Sequence, residues 1–293
     1  MTPLLDLPGV EGAAKTFGRQ SWLPVRVRHW PYNTLDARRQ RAVAARNSSG
    51  GGVHFVGFTC GRHFPLLECA LESLLRVHSP DIRKIHLFID DSDFLDASQT
   101  RYLERLSPLI AITRWPRFTG WGFDAVRLQF RTFAEVAKRV APGDYVAKMD
   151  SDLVFISTWI VALALRSGAD IVGDGRYIDF DYAQGGCFFL SRPLALRLEE
   201  YCLPGVMESM FPAAAHPPEE HVLREVARRE RARVWLTRFM MFPDEFEPTL
   251  RRRGDFVARH ASKFCVLHFL RDKETMPVIY RDVFASSLQP ART

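Results

Sequence analysis

Residues 145–155 read Tyr-Val-Ala-Lys-Met-Asp-Ser-Asp-Leu-Val-Phe. The opening Tyr145-Val146-Ala147 is an apolar run of the kind that forms a buried strand. It stops on two carboxylates, Asp150 and Asp152, with Ser151 between them. Strand side chains alternate between faces, so the two carboxylates share a face if the strand persists through them. Apolar chain flanks both, and buried carboxylates need a counter-charge. A hard divalent cation such as Mg²⁺ or Mn²⁺ supplies one, because it prefers carboxylate, phosphate and water oxygens. Such sites use one or two carboxylates and let substrate phosphates complete the shell. The stretch is therefore a diphosphate site in outline. The same spacing also fits an Asp pair capping a turn, so its meaning rests on the sequence around it.

Upstream, Val53–Thr59 reads as a strand, Cys60-Gly61-Arg62 as a turn, and Leu66, Leu67, Ala70, Leu71, Leu74 and Leu75 recur at helical spacing. Ile85–Ile89 is a second strand ending on Asp90-Asp91, and Asp96 with Gln99 three residues on makes a capping box for the next helix. Leu109–Ile112 is a third strand. After the break at Gly120-Trp121-Gly122, Val126, Phe130, Phe133, Ala137 and Val140 define a buried helix face, with Arg127 and Arg131 on another. Strands alternating with helices imply a mainly parallel sheet, whose ligands sit at the carboxyl ends of its strands. Thr59, Asp90 and Asp150 all fall there. Downstream, Ile171–Gly173 is a short strand, Gln184-Gly185-Gly186 leads into a strand at Cys187–Leu190, and Pro193 opens a helix. Glu219-Glu220 begins another helix, and Phe264–His268 is a late strand. No internal repeat is visible.

Hydrophobic content of 47% and charged content of 25% over 293 residues exclude a disordered or fibrous chain. A net charge of +6 and a pI near 9.2 suit an anionic substrate, a membrane surface or nucleic acid. The arginines between Arg224 and Arg233 alternate with Glu225 and Glu230, and neither they nor Arg251-Arg252-Arg253 belong to a nucleic-acid-binding motif. They read as a solvated helix face, or as a surface for an anionic acceptor or lipid, and a nucleic-acid partner is not expected. No apolar run approaches the roughly 20 residues of a membrane-spanning helix, and residues 1–12 do not read as a signal peptide. Five scattered cysteines, none in a CxxC pair, read as free buried thiols of a reducing cytoplasm. The expectation is a cytoplasmic, bacterial protein with peripheral contact at the inner membrane face. Residues 1–52 read as an extension, packed through Trp22 and Trp30, ending in a basic run (Arg38 to Arg46) and a Ser/Gly linker. Residues 276–293 read as a tail.

In this setting Lys148–Phe155 resembles the DXD motif of metal-dependent GT-A glycosyltransferases, over Val53 to about Lys273. The closest pattern is that of fringe-like and β-1,3-galactosyltransferase-type inverting enzymes. The resemblance implies an α/β, Rossmann-like GT-A fold: a mostly parallel sheet flanked by helices, with a smaller mixed C-terminal acceptor-side portion. Residues 53–155 would be the nucleotide-binding half and 156–275 the acceptor-side half. It implies a nucleotide-sugar donor, a UDP-sugar, a glycan or small-molecule acceptor, and Mn²⁺ or Mg²⁺. Asp152 would bind the metal directly and Asp150 the metal or ribose. His268, neutral when ligating, would complete the shell. Thr59 would lie near base or ribose, Arg62 near base or phosphate, and Asp90 or Asp91 against uracil or ribose. Lys148, Ser151 and Arg127 join the donor-binding set, and Lys273 with Arg271 would meet the diphosphate. Gln184-Gly185-Gly186 resembles the glycine loop that approaches donor and acceptor. Glu219-Glu220 with Leu223 resembles the E-D-x-x-L helix start whose second acid is the catalytic base. This chain departs from that pattern in having Glu where Asp is usual, which leaves Glu220 and Glu219 both as candidates. A retaining enzyme and a non-catalytic sugar- or nucleotide-binding protein on the same fold are the alternatives. A nucleotidyltransferase fits less well, since Cys60-Gly61-Arg62 is a poor match to a glycine-rich basic signature.

Overall fold

Apolar residues at period two and at helical spacing alternate along this chain, and the structure follows them. A computed structural model describes residues 40, 50–116, 122–175, 182–212, 217–243, 245–246, 256–270 and 274–284. Most of the expected extension with Trp22 and Trp30, the 251–253 arginines, Arg271, Lys273 and the end of the tail lie outside the described residues. The strands are β1 Val53–Thr59, β2 Ile82–Asp90, β3 Ile110–Trp115, β4 Tyr145–Met149, β5 Leu153–Phe155, β6 Ile171–Asp174, β7 Cys187–Ser191, β8 Val234–Thr237, β9 Met240–Met241 and β10 Val266–His268. The α-helices are α1 Phe64–Val77, α2 Ala97–Leu106, α3 Phe123–Arg139, α4 Trp159–Ser167, α5 Arg192–Tyr201, α6 Val206–Met210, α7 Glu219–Arg229, α8 Phe256–His260 and α9 Thr275–Ile279. Seven strands form one sheet in the order β3-β2-β1-β4-β7-β6-β8, and three form a second, β5-β10-β9. The fold is the expected α/β architecture: a mostly parallel sheet flanked by helices, with a small second sheet.

The chain divides into two units interleaved in sequence. One comprises residues 53–118, 148–162 and 239–293. In it β1 and β2 pair in parallel with Gly57 opposite Leu87, and β2 pairs in parallel with β3. Leu66, Leu67, Ala70, Leu71 and Leu74 are the buried stripe of α1. Asp96 accepts from the backbone N–H groups of Ser98 and Gln99 while the Gln99 side chain accepts from the Asp96 N–H, so the capping box read from sequence is present.

The strand does not persist through both carboxylates. β4 ends at Met149, residues 150–152 turn, and Leu153–Phe155 belongs to the other sheet. The apolar run after the turn finds its partner in β10, antiparallel, with His268 opposite Leu153. Val154 and Leu267 then enter a cluster with Leu66, Phe246, Met276 and Phe284. Ser73 of α1 fixes this strand: its Oγ accepts from the Phe155 N–H at 2.9 Å and donates to the Ala70 carbonyl at 2.8 Å. Ser73→Ala leaves that buried N–H unpaired, and a urea melt is expected to show a loss of about 1–3 kcal/mol. An unchanged midpoint would mean that Ser73 does not hold β5.

The other unit comprises residues 1–52, 119–147 and 163–238. β6 pairs antiparallel with β7 and parallel with β8. Phe133 of α3 meets Phe188 of β7 edge to face. Gly173 admits the chain that crosses β6: a Cβ there would lie 2.2 Å from the Ala183 Cβ. The Gln184 N–H donates to the Asp174 carbonyl at 2.9 Å, which fixes where the glycine loop begins. On α7 the arginines are internally paired, Arg228 and Arg229 with Glu225. Arg228 holds the Glu225 carboxyl down to about 2. Arg197 of α5 pairs with Glu200 and Glu230. That is the arrangement of a solvated helix face.

All five cysteines are buried. Among the described residues no helix is long and apolar enough to cross a membrane.

Candidate functional site

Every residue of β4 is buried, so the turn after Met149 presents its carboxylates from the end of a fixed strand. The β5–β10 register sets His268 opposite Leu153, and the Phe269 N–H donates to the Asp152 carbonyl at 2.9 Å. These two constraints bring His268 to the carboxylate turn. Ligand atoms of Asp150, Asp152 and His268 all lie within 4.8 Å of one another. Asp152 is 3% exposed and His268 4%. His268 Nε2 lies 3.4 Å from Asp152 Oδ1. Lys148, itself buried, places Nζ 3.0 Å from Asp150 Oδ1. Burial raises the Asp150 carboxyl above its ordinary value, the Lys148 charge opposes this and the Asp152 charge adds to it. Ser151 is half-buried on the same turn.

This donor set fits a divalent metal. Two carboxylates suit a hard cation, and an imidazole beside them suits a first-row ion such as Mn²⁺. A second anionic oxygen this close to Asp150 is otherwise unfavourable, so a shared cation is the natural complement. His268 Nδ1 is buried without a hydrogen-bond partner among the described residues.

Thr59 ends β1 in register with Ile89 of β2. Its Oγ1 is buried and has no hydrogen-bond partner among the described residues. β2, β1 and β4 are consecutive in the sheet, so Thr59, Asp90 and Asp150 close three neighbouring strands. The two acids after β2 differ. Asp90 is buried and accepts from the Ser92 N–H at 2.8 Å and its hydroxyl at 2.6 Å, capping the turn at 91–93. Asp91 is exposed and pairs with Arg114 at 2.7 Å. Arg62 is 70% exposed and bridges to Asp93 at 3.1 Å.

Glu219 and Glu220 open α7, where the helix dipole favours acids and Pro218 supplies no side-chain cap. Gly185 lies against Glu220: a Cβ at 185 would stand 3.1 Å from Glu220 Oε2. The Gly186 N–H donates to Gln184 Oε1 at 2.6 Å, closing the loop on itself. Glu219 faces Gln129 of α3. With the amide nitrogen turned toward the carboxylate, it lies 2.6 Å from both Glu219 oxygens. The sequence reading missed Gln129, although a long polar side chain within the buried face of α3 was the available signal. Arg127, expected on the donor side, pairs with Asp124 at 2.9 Å and with Glu208, and these acids hold its guanidinium more strongly protonated. Lys273 lies outside the described residues.

No protein-family model matches this chain, nor does any curated protein. Among solved structures it is similar to the galactosyltransferase LgtC in complex with donor and acceptor sugar analogues. The TM-score is 0.51 at 12% identity, over 78% of this chain and 96% of that one. An active-site glutamine-to-glutamate variant of LgtC gives a TM-score of 0.50 at 11% identity, with the same coverage of both chains. The likeness is one of fold: a mostly parallel sheet flanked by helices, with the small second sheet that carries His268 in this chain.

Proposed function

We propose that this protein is a glycosyltransferase that moves a sugar from a nucleotide sugar, a UDP-sugar, to a hydroxyl of a glycan or small-molecule acceptor. The observation that carries the reading is the Asp150, Asp152 and His268 set, the last two buried, with ligand atoms within 4.8 Å, following a central strand. The fold's similarity to a galactosyltransferase determined with donor and acceptor sugar analogues supports it. When bound by these three residues, Mn²⁺ or Mg²⁺ would stabilise the negative charge developing on the leaving diphosphate.

The chain's own residues take the remaining roles. Lys148 balances Asp150. Thr59 and Asp90, at the ends of adjacent strands, bind base and ribose, with Asp91 as the more exposed alternative to Asp90. Arg62, Arg127, Ser151 and Lys273 complete the donor-binding set, Lys273 toward the phosphates. Gly185 and Gly186 allow close backbone approach of the sugar. An acceptor hydroxyl is a weak nucleophile at neutral pH, so a carboxylate must take its proton. Glu220 takes that proton, with Glu219 its neighbour, as the hydroxyl oxygen bonds the anomeric carbon opposite the departing diphosphate, which inverts that carbon.

The test is a melting-temperature screen of UDP-, GDP- and dTDP-sugars with and without Mn²⁺. A UDP-sugar with Mn²⁺ is expected to raise the midpoint most, with a stabilisation of about 2.7 kcal/mol at a hundredfold excess over Kd. If no nucleotide sugar moves the midpoint in the presence of metal, the reading is wrong.

A further inference from the structure

A buried polar side chain on an apolar helix face is costly unless it is paired, by about 1–3 kcal/mol. Gln129 stands among Ala125, Val126, Phe130, Phe133 and Ala137 on the buried face of α3. Its partner is Glu219, and with the amide nitrogen turned toward that carboxylate it lies 2.6 Å from both oxygens. Glu220, the next residue of the same helical turn, lies against Gly185 instead. Two acids adjacent in sequence therefore meet different surroundings. One is tied to a neighbouring helix by both oxygens, and the other is turned toward the glycine loop.

We infer that Gln129 is a positioning residue that anchors Glu219 and thereby fixes the start of α7, leaving Glu220 as the carboxylate that receives the acceptor proton. This rests on the glycosyltransferase reading above and adds to it the residue that distinguishes the two glutamates. Pairing to an amide donor occupies one lone pair on each Glu219 oxygen, so this carboxylate is less available to take a proton. A fixed first turn holds the Glu220 carboxylate in one place. Such placement matters for rate, since a displacement of about 1 Å at a reacting group costs about a hundredfold.

The experiment exchanges the pair. Gln129→Leu removes the anchor, and Gln129→Glu sets two carboxylates against each other. Either is expected to lower kcat by about a hundredfold while donor KM changes by less than about threefold. Gln129→Glu combined with Glu219→Gln restores one donor and one carboxylate in reversed order. The double variant is expected to recover kcat at least about tenfold over Gln129→Glu alone, and the melting midpoints of the cycle are expected to be non-additive.

An exchange variant as inactive as Gln129→Glu alone would show that the carboxylate is needed at 219 itself, and would overturn the assignment. So would full activity in Gln129→Leu, or additive midpoints across the cycle. If Gln129→Leu does not fold, the exchange pair, which keeps size and polarity, decides the matter. A wild-type protein that turns over no nucleotide sugar counts against the proposed function. The Gln129–Glu219 anchor then stands or falls on the midpoints alone.

Discussion

Asp152→Asn is expected to lower Mn²⁺-dependent sugar transfer by about a thousandfold without unfolding the protein. Asn has nearly the shape of Asp, so the turn at 150–152 keeps its geometry. The bond from the Phe269 N–H reaches the main-chain carbonyl of residue 152, which the substitution does not touch. What disappears is the buried one of two negative charges, and with it an anionic ligand. The metal-free variant is expected to melt no lower than the parent, because Asp150 then keeps Lys148 as its partner and loses a repulsive neighbour. The rise in midpoint on adding Mn²⁺ is expected to vanish. A structural role for Asp152 predicts the reverse: a lower midpoint in chelator and an unchanged response to Mn²⁺. Transfer undiminished in this variant would remove Asp152 from the metal set, and parent activity undiminished in chelator would remove the metal.

Glu220→Gln is expected to keep the stabilisation by donor and Mn²⁺ but lose transfer by about 10²–10⁴-fold. The amide preserves size at the contact with Gly185 and removes only the capacity to accept a proton. Glu219→Gln should do much less, because a glutamine carbonyl at 219 still accepts from the Gln129 amide. The anomeric configuration of the product supplies the second readout. Inversion together with a large loss only in Glu220→Gln fits a base at 220. A larger loss in Glu219→Gln moves the base by one residue. Full activity in both variants points to retention or to a base elsewhere in the chain.

Much of the fold was legible because its determinants are local. The Asp96–Gln99 capping box spans four residues, and both of its reciprocal bonds are present. The apolar stripe of α3 and the parallel pairing of β1, β2 and β3 follow from periodicity and from alternation of strand with helix. Where the chain goes after Asp150 and Asp152 was not legible, for an identifiable reason. Leu153-Val154-Phe155 has the composition of a continuing strand, and only its pairing with β10 takes it to the second sheet. Likewise Asp90 and Asp91 look equivalent as letters. Ser92 and Arg114 separate them, the first by capping with Asp90 and the second by pairing with Asp91.

Local pattern located the first four strands and the helices between them, and it put two carboxylates, a late histidine and a pair of glutamates near the ends of such elements. Hydrophobic periodicity and capping act over a few residues, so a linear reading captures them. Long-range pairing and packing settled which polar groups share a neighbourhood: His268 beside Asp152 through the β5–β10 register, Lys148 against Asp150, and Gln129 against Glu219. The energy of a buried polar group depends on its partner, and these partners are set by strand register and helix packing rather than by any property of the residue alone.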